Sequence, residues 1–386
     1  MKVQLEEPEE EEIKMAVYKI FPTQDATLYS AYPSMNTGLD EIIEATTNFK
    51  TGSLQIDGDL PQASRFLVQF NSADMAYVSA SLIGTSSWTA NLQVFVANVE
   101  GVDTDTIVLA NAVSQSWNMG TGRFLSDPEV TNGVSWIWTN ESGSNQWLTS
   151  SYASGTTGSY SPINTPGGGV WWTGSQASQT FSYRSNLDLN FGVKEIVEKW
   201  NSGSWDNYGF IVRQDPSQEF IALPNNQITL KYFSVDTHTI YPPALEFKWD
   251  DFKWETGSLS VITGSNIYAS LDNNPGFFFS ESIQRFRINA RPQFPQRSFQ
   301  TSSIYTTQYY LPEGSLYAIK DLDTNEYVVD FDSNYTKISA DASGSYFDLY
   351  MNGLEPQRYY TILIQTTSGG STIVLDNNYS FKVING

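Results

Sequence analysis

The sequence predicts an all-β protein built from two successive antiparallel β regions, and three observations predict it. Short apolar and β-branched runs alternate with Gly, Asn, Asp and Pro along almost the whole chain, as half-buried antiparallel strands do. Charged residues are only 16% while aromatics reach 14%, a mixture that suits strands joined by polar turns. All 11 tryptophans lie between Trp88 and Trp254, so the aromatic chemistry changes along the chain and marks a boundary.

At 386 residues, a prior of about 150 residues per domain suggests two or three domains. The opening run MKVQLEEPEEEE has no apolar face, so residues 1–14 are expected to be a solvated acidic tail, and it does not read as a secretory signal. Ordered strand character begins at MAVYKI. Because EEEEIK sits where a purine-rich ribosome-binding tract would lie, Met15 is read as the natural start.

From 15 to 255 the expected strands are VYKIFP, LDEIIEA, SRFLVQFN, ASLIG, NLQVFVANVEG, TIVLANA, QTFSYRSNLDLNF, YGFIVRQ, FIALP, ITLKYFS and ALEFKW. So many short strands with turn residues between them argue for a sandwich or jelly roll. One stretch breaks the pattern. Val193, Ile196, Val197 and Trp200 fall at i, i+3, i+4 and i+7, with Lys194, Glu195, Glu198 and Lys199 opposite and Gly203 as the stop, which predicts a short amphipathic helix. Residues 131–180 are polar and glycine-rich and are expected to form a long functional loop or short ribbons. A domain boundary is expected within 241–256, where Pro242–Pro243 lead into ALEFKW.

Several landmarks of 18–250 occur in one order. FPTQDATLYSAYPSMNTGLDEIIEA is followed by SRFLVQF, LQVFVANV, SQSWNMGTG, NGVSW, the helix, NYGFIVR and PPALEFKW. Together these resemble the DNRLRE family of β-sandwich domains, some of which bind polysaccharide. The family hexapeptide survives loosely as DATLYS, keeping Asp25 and Leu28. The resemblance implies an N-terminal jelly roll over 15–255 in which the helix closes one end of the sandwich, anchored by Trp200.

For 256–386, YFDLYMNGLEPQRYYTILIQT resembles the strand–turn–strand of fibronectin-type modules, with Leu354, Pro356 and Tyr360 placed as in a tyrosine corner. YLPEGSLYAIKDLDTNEYVVDF supplies a hairpin around DTNEY. The region is therefore expected to be an immunoglobulin-like or fibronectin-like β-sandwich of one or two modules. The sandwich followed by NARPQFP and GLEPQRYY resembles structural proteins in the virions of tailed bacteriophages.

Catalytic chemistry is poorly provided for. There is no cysteine and one histidine. His238 follows Asp236 by two residues, so a strand would put both on one face, but no nucleophile-elbow motif accompanies them. A zinc site is disfavoured without thiolates. Paired carboxylates at Asp250–Asp251 and in LDTNEY are the residues a glycosidase would need, yet both read as strand ends or turns. No cofactor is expected. Calcium is the one cation compatible with the acidic turns DGD (57–59) and DLDTNE (321–326), which read first as ordinary Asp turns.

Surfaces remain. A net charge of −21 repels nucleic acid and anionic lipid, and no run of about 18 apolar residues is long enough to span a membrane. Trp136, Trp138, Trp147, Trp171 and Trp172, set among Asn, Gln and Ser, are the candidate glycan platform. Trp88, Trp117 and Trp200 are read as structural. Arg285, Arg287, Arg291 and Arg297 form a basic, Pro-interrupted stretch in an acidic chain and are the candidate protein-docking residues. The expectation is a non-enzymatic virion structural protein of a tailed phage, located in the virion and assembled in the host cytoplasm. Its partners would be other virion proteins and host-surface polysaccharide, with a homo-oligomer compatible. The alternative is a secreted or surface carbohydrate-binding module.

Overall fold

A computed structural model describes residues 17–48, 62–83, 87–102, 105–148, 167–182, 186–219, 227–263, 266–272, 274–294 and 308–386. The acidic tail 1–14, the start at Met15, the DGD turn, FIALP and Arg297 lie outside them. Nearly all regular structure is antiparallel strand, so the fold class is all-β. The chain divides into two compact units, one of Ile20–Ser81 and Thr89–Glu246, the other of Met1–Lys19, Leu82–Trp88 and Phe247–Gly386. The main division thus falls after Glu246, inside ALEFKW, and not after residue 255.

The first unit is built on one large sheet. Its order is Trp171–Phe181, Thr106–Val113, Phe210–Gln214, Gln62–Phe70, Thr47–Asn48, Gln227–Phe233 and Ile42–Glu44. Pro22–Tyr29 also pairs with Gln62–Phe70, in register Asp25↔Val68 to Tyr29↔Ser64. The central strands are buried on both faces, which explains why SRFLVQF and TIVLANA read as near-continuous apolar runs. Trp171–Phe181 lies at the edge of this order and alternates buried with exposed positions over much of its length.

Three glycine-bearing segments far apart in sequence meet at Asn36, which is fully buried. Its amide nitrogen donates to the carbonyls of Met119 (2.7 Å) and Val134 (2.8 Å), and its Oδ1 accepts from the Gly122 amide (2.7 Å). The backbone packs so closely that a Cβ at Gly122 would lie 2.3 Å from the Asn36 carbonyl oxygen. At Gly120, whose φ is +77°, one would lie 2.4 Å from Asn36 Oδ1. NTG, NMGTG and NGV are therefore one structural knot.

The predicted helix is present as Lys194–Asn201, with Ile196, Val197 and Trp200 buried and Val193 buried at its N-cap. Trp200 meets Phe210 edge-on at 4.7 Å. Gly203, at φ +69°, provides the left-handed residue that ends it. A second helical segment was not expected. Ser72–Tyr77 is α-helical and continues as a π-turn through Val78–Ile83, so Ala80–Ile83, the described part of ASLIG, is helical and not a strand. Asn71 caps it by accepting from the Ala73 amide (2.8 Å), and Met75, Val78, Leu82 and Ile83 are buried.

In the second unit, one sheet runs Ile267–Leu271, Ile283–Pro292, Gly344–Tyr350, Ser339–Asp341. The other runs Phe277–Phe279, Ser371–Ile384, Tyr359–Ser368, Leu316–Asp321, Tyr327–Val329. Rings from both sheets interleave: Tyr317 stacks on Phe347 at 4.3 Å, and Phe278 meets Phe286 and Phe381, each at 5.4 Å. The Tyr360 hydroxyl donates to the Glu355 carbonyl at 2.9 Å, which is the bond a tyrosine corner requires. The hairpin around DTNEY is present, pairing Ile319 with Val329.

Candidate functional site

The most distinctive surface of the first unit begins in its core. Arg65, on Gln62–Phe70, is sealed from solvent. It donates through Nε and Nη2 to the two oxygens of Glu219 (2.6 and 2.8 Å) and through Nη1 to the Gly168 carbonyl (2.6 Å). Its guanidinium lies 4.9 Å from the Trp136 ring and 5.3 Å from Trp171. Arg213 approaches Trp171 at 4.5 Å. Burial lowers the Arg213 pKa to about 10, with Glu219 pulling it up and Arg65 pushing it further down.

These contacts hold the start of Trp171–Phe181 and fix which way it faces. Trp171 pairs with Val113 and points inward; the register then shifts before Gln176 pairs with Asn111. Asn111 clamps the bulge by donating to the Trp172 carbonyl (3.3 Å). Trp172 emerges half-buried, and Trp205 stacks on it with ring centroids 5.1 Å apart and planes only 6° apart. Trp205 is placed by the helix end, since its amide donates to the Lys199 carbonyl (3.2 Å).

Beside this strand and helix opens a cleft of about 310 Å³, lined among others by Asn91, Ser175, Gln176, Lys194 and Glu195. Ser175 Oγ donates to Glu195 Oε2 at 3.4 Å, and Asn91 donates to Asn190 at 3.0 Å. Trp172 lies on the strand that lines this cleft with Ser175 and Gln176, and Trp205 follows the helix that lines it with Lys194 and Glu195. Rings and hydroxyl, amide and carboxylate groups are thus carried by neighbouring segments. That is the donor, acceptor and ring set that a polyhydroxylated ligand can use.

Of the predicted platform, Trp136, Trp147 and Trp171 belong to the core cluster, at 0, 3 and 4% exposure. Trp147 even spends its indole N–H on the Ser135 carbonyl (3.0 Å). Their packing corrects the exposed-platform expectation at those three positions, because a ring sealed against its own core offers no face to a ligand. The described parts of 131–180 supply core rings and a sheet strand and are not one open loop. Trp138 is half-buried on the short strand Trp138–Asn140, and of the five predicted rings Trp172 is the one that stacks on a second half-buried ring, Trp205. Trp205, Gln176 and Glu195 were missed; Trp205 directly follows the helix stop, and that proximity was the signal available.

The predicted docking arginines are internally engaged. Arg285 is bidentate to Asp348 (2.8 and 3.0 Å), Arg287 pairs with Asp341 (2.6 Å), and both lie over Tyr346. Arg291 lies over Tyr268 and donates to the Pro292 carbonyl (3.1 Å). In the acidic turn 321–326, Asp321 is taken by Arg358 (2.6 and 2.8 Å) and by Thr324, which occupies the oxygens calcium would need. His238 is 91% exposed, with Glu41 at 3.9 Å. Among the described residues, no cluster of three or more acidic or histidine side chains is arranged to hold a metal ion, and no helix is long and apolar enough to cross a membrane.

Comparison with known proteins adds little. No family model matches the chain, and no curated protein does either. Among solved structures, the chain is similar to a DUF4785 family protein of Legionella pneumophila, at 8% identity and a TM-score of 0.17. That match covers 94% of this chain and 65% of the other, so this chain spans just under two thirds of its length. It is also similar to a chain from a structure described as concerning cell entry of botulinum neurotoxin type C through two ganglioside molecules, at 9% identity and a TM-score of 0.17, covering 93% and 67%. Likenesses this weak carry no argument about function.

Proposed function

We propose that this chain is a non-enzymatic structural protein of a tailed-phage virion that works through its surfaces and contacts glycan at the Trp172–Trp205 face. The stacked, half-exposed Trp172–Trp205 pair, whose Trp172 lies on the strand that lines the cleft with Ser175 and Gln176, carries the glycan reading. Sugar rings offer an apolar face to an indole and a hydroxyl edge to amides and carboxylates. The virion role is supported by the sequence resemblance of the sandwich followed by NARPQFP and GLEPQRYY, and the charge of −21 suits protein and neutral glycan partners better than nucleic acid. The same ring pair supports a second reading, a secreted or surface carbohydrate-binding module.

The test uses the full chain on immobilised host-surface polysaccharides, neutral and anionic. Trp172→Ala and Trp205→Ala should each weaken binding by on the order of 1 kcal/mol, about fivefold, without lowering the melting temperature. Trp147→Ala, in the core, should instead unfold the unit. Absence of binding by the unaltered chain would reject glycan contact. Absence of the chain from purified virions by mass spectrometry would reject the virion role and leave the module.

A further inference from the structure

We propose that Asp25 and Asp236, both in the first unit, hold a calcium ion between their carboxylates. No residue of the glycan face or of the acidic turn 321–326 takes part. Asp25 lies on Pro22–Tyr29 and is sealed from solvent at 1% exposure. Its Oδ2 accepts from the Val235 amide (2.6 Å), which aims the carboxylate at the turn that follows Gln227–Phe233. Its Oδ1 is buried and has no hydrogen-bond partner. Asp236, the next residue of that turn, is half-buried, and its Oδ2 is likewise buried without a partner. Two carboxylate oxygens have thus lost water without a replacement from the protein, although buried polar groups are almost always satisfied.

Backbone bonds fix this turn. The Ser234 amide donates to the Glu41 carbonyl (3.0 Å) and its hydroxyl to the Asp40 carbonyl (2.5 Å), while the Asp236 amide donates to that hydroxyl (3.1 Å). The Asp40 carboxylate accepts from the Phe124 amide (3.0 and 3.2 Å). Among the described residues, neither Asp25 nor Asp236 makes an ion pair. Arg123, 60% exposed, reaches Glu41 at 4.0 Å, and it and His238 act on Asp236 only from a distance. Burial raises the Asp25 carboxyl well above the ordinary carboxylate range; the Val235 amide pulls it back, and the charges of Asp236 and Asp40 push it up again.

A proton or a cation can relieve this repulsion, and the geometry favours the cation. A carboxyl proton needs an acceptor within about 3 Å of its oxygen. No hydrogen bond joins Asp25 to Asp236, and Oδ1 of Asp25 meets no other described partner. Calcium bonds each oxygen at about 2.3–2.6 Å and so bridges oxygens up to roughly 5 Å apart. Two side chains supply the charge, fewer than a cluster of three; backbone carbonyls and water complete the roughly six to eight oxygens that calcium takes. Magnesium demands a near-ideal octahedron and keeps several waters, which suits two sealed carboxylate oxygens less well. Zinc is disfavoured, because the chain has no thiolate and His238 is 91% exposed.

The test uses the full chain, freed of metal with EDTA and dialysed, then titrated with calcium chloride by calorimetry while its melting temperature is followed. The titration should saturate, and the melting temperature should rise with calcium. Asp25→Asn and Asp236→Asn should each weaken calcium binding by about tenfold or more, since each removes one of two charged ligands. Both changes are nearly isosteric, and Asp236 is only half-buried, so that variant keeps its fold. Asp323→Asn, in the acidic turn and 66% exposed, should bind calcium as the unaltered chain does. Absence of calcium binding, or binding that survives both Asp25→Asn and Asp236→Asn, would overturn the proposal. Magnesium binding as tight as calcium would overturn the choice of ion. A chain indifferent to calcium whose Asp25→Asn variant melts higher would show that a proton, not a cation, quiets the pair.

Discussion

Arg65 is sealed from solvent together with Glu219, and each satisfies the other through two hydrogen bonds. Removing one partner of a buried pair leaves the other charge unpaired in a poorly solvating core, so Glu219→Gln should cost about 3–5 kcal/mol in urea unfolding. The exposed Lys194–Glu198 pair, 3.7 Å apart, makes the contrast: Glu198→Gln should cost about 0.5 kcal/mol or less. Asp251 behaves in the opposite way. Burial, reinforced by the Asp348 carboxylate beside it, pushes its carboxyl up to about 8. A raised acid favours the folded state fully below its unfolded value near 4, and that contribution is lost as pH rises towards 8. Asp251→Asn imitates the neutral carboxyl. Its stability relative to the unaltered chain should therefore climb between pH 4 and 8, by at most about 1.4 kcal/mol per pH unit. A pH-independent difference in melting temperature would show that Asp251 ionises freely. Asp321 runs the other way: burial alone would raise it, but the bonds from Arg358 and Thr324 bring it down to about 2, so its contribution is lost only as pH falls from about 4 towards 2.

The helix Lys194–Asn201 shows which elements a sequence can declare. Its apolar residues recur at the helical period on one face, and that face is the one that packs. Trp200→Ala should cost about 3–5 kcal/mol, since the ring is buried and meets Phe210 edge-on, while Lys199→Ala should be nearly silent. Equal thermal shifts for the two would refute that packing. Ser72–Ile83 was less legible, although Asn71 was a usable cap signal, because the helix widens into a π-turn and its last residues, Ala80–Ile83, look in sequence like a short apolar strand. The tyrosine corner was legible because its residues are close in sequence. The Arg65–Glu219 pair was not, since 154 residues separate partners that only the sheet brings together. Trp171 and Trp172 are adjacent, and composition could not tell the core ring from the surface one; the bulge clamped by Asn111 decides it.

At the scale of the whole chain, the change in tryptophan content pointed to a boundary, but not to the way the second unit gathers distant segments. Tyr18 meets Tyr350 edge-on at 5.4 Å and its hydroxyl accepts from Asn352 Nδ2 (3.1 Å), Lys19 donates to the Val328 carbonyl (3.3 Å), and Trp249 meets Tyr350 at 6.2 Å. Tyr350 and Met351 are buried at 1 and 0% exposure. A cut at residue 256 removes Tyr18, Lys19 and Trp249 together and so takes away two aromatic neighbours of Tyr350. Loss of packing around large buried side chains costs several kcal/mol, a sizeable share of a domain's typical stability of about 5–15 kcal/mol. The fragment 256–386 should therefore melt broadly and bind a hydrophobic dye such as ANS, whereas the full chain should not bind it. The single substitution Tyr18→Ala in the full chain should move the Tyr350 environment in the same direction, read from its side-chain NMR signals. A fragment that melts sharply and keeps the Tyr350 signals of the full chain would show that the N-terminal residues are not part of that core.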